Sequence, residues 1–289
     1  MSELLAQADS APLTMLAGDA RPELHLSGAK LRQALETAIT GCESLGGVER
    51  YIDALKLKSR LFVTTLIDSP IEALERDALI ALCAFMPTVR RRIGHHTDHD
   101  GLARLRHALG LLIREHTDTR TTDARISAFC AQYPADRAHR WIRDLASEVL
   151  HNIGPERYPL MNRWVWDAQA NTGALREMWF RDDIDRTTLN IADDYAMFVV
   201  LREELSVFLT DNGFFRDLVW YVDLLLAQIY AEYICAQGGT YLRADFSSPE
   251  DPMQHTRRML GLDGVKAGTT RLRVPDADGK AFVIDPEAE

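Results

Sequence analysis

FFRDLVWYVDLLLAQIYAEYI, residues Phe214 to Ile234, is the most apolar stretch of this chain. At 100° per residue its polar members Asp217, Gln228 and Glu232 fall on one narrow side. The spacing therefore predicts a helix that is apolar around most of its circumference, the central rod of a helical body. One residue breaks the pattern. Asp223 shares its face with Val219, Trp220, Ala227, Tyr230 and Ile234, where an unpartnered carboxylate costs several kcal/mol, roughly, unless it is paired or neutralised. Arg216, two turns earlier on the same face, and Arg163 are the cations expected to answer it.

Outward from this rod, apolar residues recur at three and four through most of the sequence, which predicts helices packed on helices. Val48, Tyr51, Ile52 and Leu55 open one stripe. Ser69-Pro70-Ile71-Glu72 combines a cap, a first-turn proline and a Glu three residues after the cap, a capping box for a helix running towards Met86, with Pro87 as its stop. Leu102 to Leu112 and Ile126 to Tyr133 mark two more. From Pro134 to Gly154 the set Trp141, Leu145, Val149 and Ile153 faces one way and the charges the other. Helices are also expected from Pro159 to before Gly173, and from Ile191 to Leu209. Beyond Gly238-Gly239, Ser248-Pro249-Glu250-Asp251 caps a short helix ending at Gly261, and the alternation around Asp276-Ala277-Asp278-Gly279 reads as a small β-hairpin. The fold class is all-α, about ten helices in one body. Residues 1–26 form a loosely ordered lead-in, 27–237 the helical domain and 238–289 a C-terminal extension, either an interaction arm or a strap over the body. No fixed-period repeat appears, which argues against a solenoid.

Composition fits that picture. Of 289 residues, 46% are hydrophobic and 26% charged, enough to bury a substantial core, and 43 acidic against 33 basic residues give a net charge of -10, so no overall field favours nucleic acid. The start of the chain shows no basic leader and no signal-length apolar run, and no segment is apolar and uncharged enough to be read as a membrane span, so a cytoplasmic location without membrane contact is expected. Cys42, Cys83, Cys130 and Cys235 are single and far apart, which reads as buried thiols rather than zinc or redox pairs.

The stretch Tyr158-Pro159-Leu160-Met161-Asn162-Arg163-Trp164-Val165-Trp166-Asp167 interleaves Asn, Arg and Asp with two tryptophans. Read as a helix, it puts Asn162, Trp166 and Ala170 along one side with Arg163 and Asp167 beside them as an i,i+4 pair, a surface suited to a planar ligand or to core packing. Tyr158, Asn162, Arg163, Trp166, Asp167, Arg216 and Asp223 are the candidate binding residues. Five of nine histidines lie between His95 and His116; His95, His96 and His99 with Asp98 or Asp100 are a minor metal candidate. Glu148-Val149-Leu150-His151 has the Glu-x-x-His spacing of carboxylate-bridged metal bundles, but those need a second copy and none is present. Arg90, Arg91 and Arg92, with Arg257, Arg258, Arg271 and Arg273, are groups able to meet phosphate. The chain has no phosphate loop, nucleophile elbow or dinucleotide fingerprint, and no cofactor is expected.

The run Ala146-Ser147-Glu148-Val149-Leu150-His151 followed by Pro155-Glu156-Arg157-Tyr158-Pro159-Leu160-Met161-Asn162-Arg163-Trp164-Val165 resembles, over about 30 residues, a segment of the helix-hairpin-helix DNA glycosylase superfamily. There a helix, a short aromatic-proline turn and an acid opening the next helix follow a hairpin that grips DNA. The resemblance implies an all-helical scaffold and nucleic-acid binding. Asn162 stands where the family has its catalytic acid, and Tyr133 to Arg143 contain no glycine, departures that count against base excision. The leading expectation is an accessory or assembly factor that works by binding, with a protein partner. The alternative is a nucleic-acid protein on a glycosylase-like scaffold, with Asp167 or Asp223 replacing the missing acid.

Overall fold

The computed structural model describes residues 21–43, 46–180, 187–238 and 253–263. Among them are ten α-helices: α1 Gly28–Glu43, α2 Val48–Leu66, α3 Arg76–Ala84, α4 His99–Ile113, α5 Thr122–Cys130, α6 Trp141–Ile153, α7 Ala174–Glu177, α8 Tyr195–Asp211, α9 Leu218–Gly238 and α10 Gln254–Leu260. No β-strand occurs among the described residues; two isolated bridges join Leu26 to Trp179 and Asp167 to Thr172. The protein is all-α.

Two helices organise the body. α9 packs against α1, α2, α7, α8 and α10, and α6 packs against α2, α4 and α5. Their apolar side chains belong to one continuous core. α9 is the single described helix long and apolar enough to cross a membrane, and 61% of its most apolar window is buried in the protein. It starts at Leu218, not Phe214, because Asp217 adopts φ 58 and ends the turn through Gly213.

Local chemistry sets most boundaries. Asp98 caps α4 by accepting from Gly101 N at 2.8 Å, and Asp194 caps α8 by accepting from Met197 N at 2.9 Å. The capping box at Ser69 fails. The Ser69 hydroxyl donates back to the Thr64 carbonyl, and Arg106 Nε donates to the Leu74 carbonyl at 2.7 Å, so that carbonyl is occupied from outside and the backbone turns extended there. The result is a 3-10 turn at Ile71–Ala73, then a separate α3.

The expected helix from Pro159 to Gly173 is absent. Met161 N donates to Ser147 Oγ at 2.8 Å and Arg163 N to Asp144 Oδ1 at 3.0 Å, so side chains of α6 take amides that a helix would have used internally. The segment runs instead as linked turns, closed by Asn171 at φ 52 and Gly173 at φ 131. A Cβ on Gly173 would sit 2.6 Å from the Val165 carbonyl, so only glycine fits that turn.

At the far end, Gly261 closes α10 at φ 73 with its Cα against Phe85, where a Cβ would lie 1.7 Å from the carbonyl oxygen. Lys58 Nζ donates to the Leu260 carbonyl at 3.1 Å and Arg90 makes a bidentate pair with Asp263 at 2.7 Å through each nitrogen, so the described part of the extension is laid on the body. The proposed cap at Ser248 to Asp251 and the hairpin lie outside the described residues. All four cysteines are free thiols; Cys42 and Cys83 are buried, Cys130 is half-buried, and Cys235 is exposed near the end of α9, against the expectation of burial.

Candidate functional site

α6 carries its apolar residues as expected, yet the opposite side is buried too. Asp144, Ser147, Glu148, His151 and Asn152 are all sealed from solvent. Their partners come from the turn segment and from α2. Glu148 accepts from Lys58 Nζ at 2.9 Å on one oxygen and from Asn162 Nδ2 at 2.9 Å on the other. Asp144 holds Arg163 through Nε and Nη2, the latter at 2.7 Å. Buried charges survive only when paired and hydrogen-bonded, and these are. Asn162 Oδ1 and Trp164 Nε1 are buried here with no hydrogen-bond partner among the described residues.

Asp223 is buried as the wheel predicts, but neither arginine answers it. His151 does: its Nδ1 donates to the Tyr158 carbonyl at 2.8 Å, and its Nε2 lies 2.8 Å from Asp223 Oδ2. The second contact is close as a charge pair but not directed as a hydrogen bond, which leaves Oδ2 without an aligned donor. Burial, the largest influence, pulls the His151 pKa down; the Asp223 charge, then its contact and the Tyr158 carbonyl, outweigh it and hold the ring above its usual range. With the Tyr158 carbonyl accepting at Nδ1 and the Asp223 carboxylate beside Nε2, the surroundings favour the charged form of the ring. Beside Asp223 there is a crevice of about 10 Å³, no more than one water.

The candidate residues therefore separate. Tyr158 is buried, donating to the His116 carbonyl and accepting from Arg125; Asn162 and Asp223 belong to the sealed layer; Trp166 is buried with Nε1 on the Ile191 carbonyl; Arg216 is exposed on the turn before α9. Arg163 and Asp167 do not pair with each other, because the helix that would align them is missing. They instead line a common cleft.

That cleft, of about 780 Å³, lies at the mouth of the hairpin joining α5 to α6. Cys130, Tyr133 and Ile142 give it an apolar floor, and Arg137, His139, Arg140, Arg143 and Arg163 surround it. Aspartates fix most of these cations. Arg140 Nη2 meets Asp167 Oδ2 at 2.5 Å, Arg143 Nη1 meets Asp193 Oδ2 at 2.5 Å while its Nη2 donates to the Asp193 carbonyl, and His139 Nδ1 donates to Asp136 at 2.8 Å. Arg137 makes no ion pair among the described residues. The Tyr133 hydroxyl is buried without a partner, and burial pushes its pKa up to about 12.

The histidine cluster is dispersed. His96 turns onto Trp141, His139 and Tyr133, while His99 sits in solvent on Asp100. No three His, Cys, Asp or Glu side chains gather as a metal site among the described residues. Arg90 and Arg258 meet at Asp263, and Arg257 is buried.

Sequence reading did not single out Arg137, His139, Arg140 or Arg143. A charge count by window would have found them: from Arg90 to Arg143 the chain carries eleven arginines and six histidines against six acids, inside a protein that is acidic overall. Comparison with protein-family models, with curated proteins and with solved structures found no match to this chain.

Proposed function

We propose that this protein works by binding, without a reaction of its own, and that its ligand is a nucleic acid held by its phosphates at the hairpin between α5 and α6. The observation that carries this reading is the convergence of Arg137, Arg140, Arg143, Arg163 and His139 on one open cleft, four of them from the arginine-rich segment Arg90 to Arg143 of an acidic chain. The aspartate pairs do not remove that capacity. A guanidinium has five N–H donors, and Arg140 uses one of them on Asp167, so the pairing orients the plane and leaves donors for a phosphate. The position also agrees with what the glycosylase resemblance implies, a hairpin that touches the backbone. Its catalytic half gains no support: Asp223 is locked on His151, and Asp167 is buried under Arg140. Free thiols support a reducing, cytoplasmic setting.

One observation favours a protein partner acting on the same cleft. Three of its four arginines are already balanced by aspartates, and a wall of both signs suits a protein surface. Titration of labelled DNA and RNA separates the two. Phosphate binding gives a Kd of roughly 10⁻⁴ to 10⁻⁶ M that weakens steeply with salt. Absence of binding at low salt removes the nucleic-acid reading and leaves the protein partner.

A further inference from the structure

We propose that the nucleic-acid path does not end at the cleft but continues along the outer face of α4, over Arg104, His107 and Arg114. The inference rests on the nucleic-acid reading above and extends its footprint.

The arginines between Arg90 and Arg143 sort into two groups by what their side chains touch. Arg125 donates to the Leu112 and Asp118 carbonyls and to Tyr158, Arg120 clasps Asp118, Arg106 holds the Leu74 carbonyl, and Arg92 reaches the Ala138 carbonyl and steadies the hairpin. These are structural. Arg104 and Arg114, with His107, make no ion pair or hydrogen bond through their side chains among the described residues, and all three are exposed. They stand at i, i+3 and i+10, one stripe of a helix, spanning about 15 Å at 1.5 Å per residue. No acid interrupts α4 between Asp100 and Glu115.

The stripe begins near the cleft, whose lining includes Tyr133. Arg104 lies close enough for its charge to act on both His96 and Tyr133, the rings that pack beside His139. From there the unoccupied cations lead away along α4. His107 and Arg114 also line a groove of about 590 Å³, whose lining includes Glu72. That carboxylate repels phosphate, so the path is placed along the α4 edge of the groove and not across it to Glu72. A row of unpaired basic side chains leading from a cationic cleft matches a polyanion, whose charges repeat along its length, better than a single anion.

The test is the salt dependence of binding by the full chain to a labelled oligonucleotide, between about 50 and 200 mM salt. Arg104→Gln with Arg114→Gln removes two contacts, so the slope of log K against log salt falls by about 2, and affinity at low salt drops by about tenfold or more. Unchanged circular dichroism shows that the fold survives. If the double variant keeps the wild-type slope while Arg137→Gln lowers it by about 1, the α4 path is wrong and the cleft reading stands. If the wild type binds no nucleic acid, the cleft reading fails and this inference with it. A poly-glutamate peptide competing with equal affinity and equal loss in the double variant overturns the nucleic-acid assignment in favour of an acidic protein.

Discussion

The sealed layer around α6 and the open cleft at the α5–α6 hairpin are made of the same materials, arginines, lysine, histidines and carboxylates in close pairs, and the two differ in what water can reach. In the layer, Lys58 with Glu148 and His151 with Asp223 have side chains no more than 5% exposed. In the cleft, Arg140 and Arg143 keep 33% and 24% of theirs. Burial turns an ion pair into a structural commitment, because losing one partner strands the other charge; partial exposure leaves donors for a ligand and makes the pair cheap to break. Residue type alone does not distinguish a site from a scaffold.

The comparison breaks most visibly at Glu148. Glu148→Gln keeps an acceptor for Asn162 but leaves the Lys58 ammonium buried without a counter-charge, at a cost of about 3–5 kcal/mol, read as a lower urea midpoint or as failure to fold. Adding Lys58→Met to the same chain removes the stranded charge and is expected to restore most of the loss. If both variants are as stable as the wild type, the layer is not sealed.

Next in size is Asp223→Asn, which carries a sign as well as a magnitude. The wild-type His151 ring has its pKa raised, so its contribution is complete below the unfolded value of about 6.5 and is lost as pH rises through the folded value. Without the carboxylate, burial becomes the governing influence and holds the ring neutral. Its pKa then falls below the unfolded one, and stability is lost as pH falls. The variant is destabilised by several kcal/mol, roughly, at pH near 6 and by less near 8. The difference between the two pH profiles of unfolding free energy cancels the contributions of Asp123 and His96, which both proteins share. A parallel pair of profiles refutes the charge coupling of His151 to Asp223.

These two cases also show what the sequence makes legible. The all-α class follows from apolar spacing at three and four, and the burial of Asp223 from its place on the wheel, since both depend on one helix at a time. Its partner does not. Charge counting nominates Arg216 and Arg163, whereas the group that arrives is His151, selected by the packing of α6 on α9. Likewise Asn162, Trp166 and Ala170 fit a helical face, but Ser147 and Asp144 capture the backbone from 14 and 19 residues away. Long-range side-chain capture of amides has no local signature. The cleft was legible in part: Arg163 and Asp167 line it, though as members of separate pairs, and the arginines of the hairpin register only when charge is counted by segment.

Moving to the open side, Arg143→Gln breaks a half-exposed pair with Asp193 that is worth about 1 kcal/mol or less, so the midpoint of unfolding barely moves. Its effect on nucleic-acid affinity is expected to be about tenfold, the loss of one positioned phosphate contact at low salt. A large loss of stability would move this arginine to the structural group. No change in affinity would leave the cleft without its function.

The smallest effect belongs to Arg137, and it sharpens the contrast most. This side chain is exposed, sits on the hairpin between Asp136 and His139, and has no ion pair among the described residues to lose. Arg137→Gln should therefore leave the unfolding transition where it is. Affinity for a labelled oligonucleotide should fall by only a few-fold, with the salt slope shallower by about one contact. At Glu148 stability moves first and any binding loss follows from it; here binding moves and stability does not. A cation whose removal affects only binding is what an open, ligand-facing charge must be, so an Arg137 variant that lowers the unfolding midpoint while leaving affinity intact would invert the assignment of the two regions.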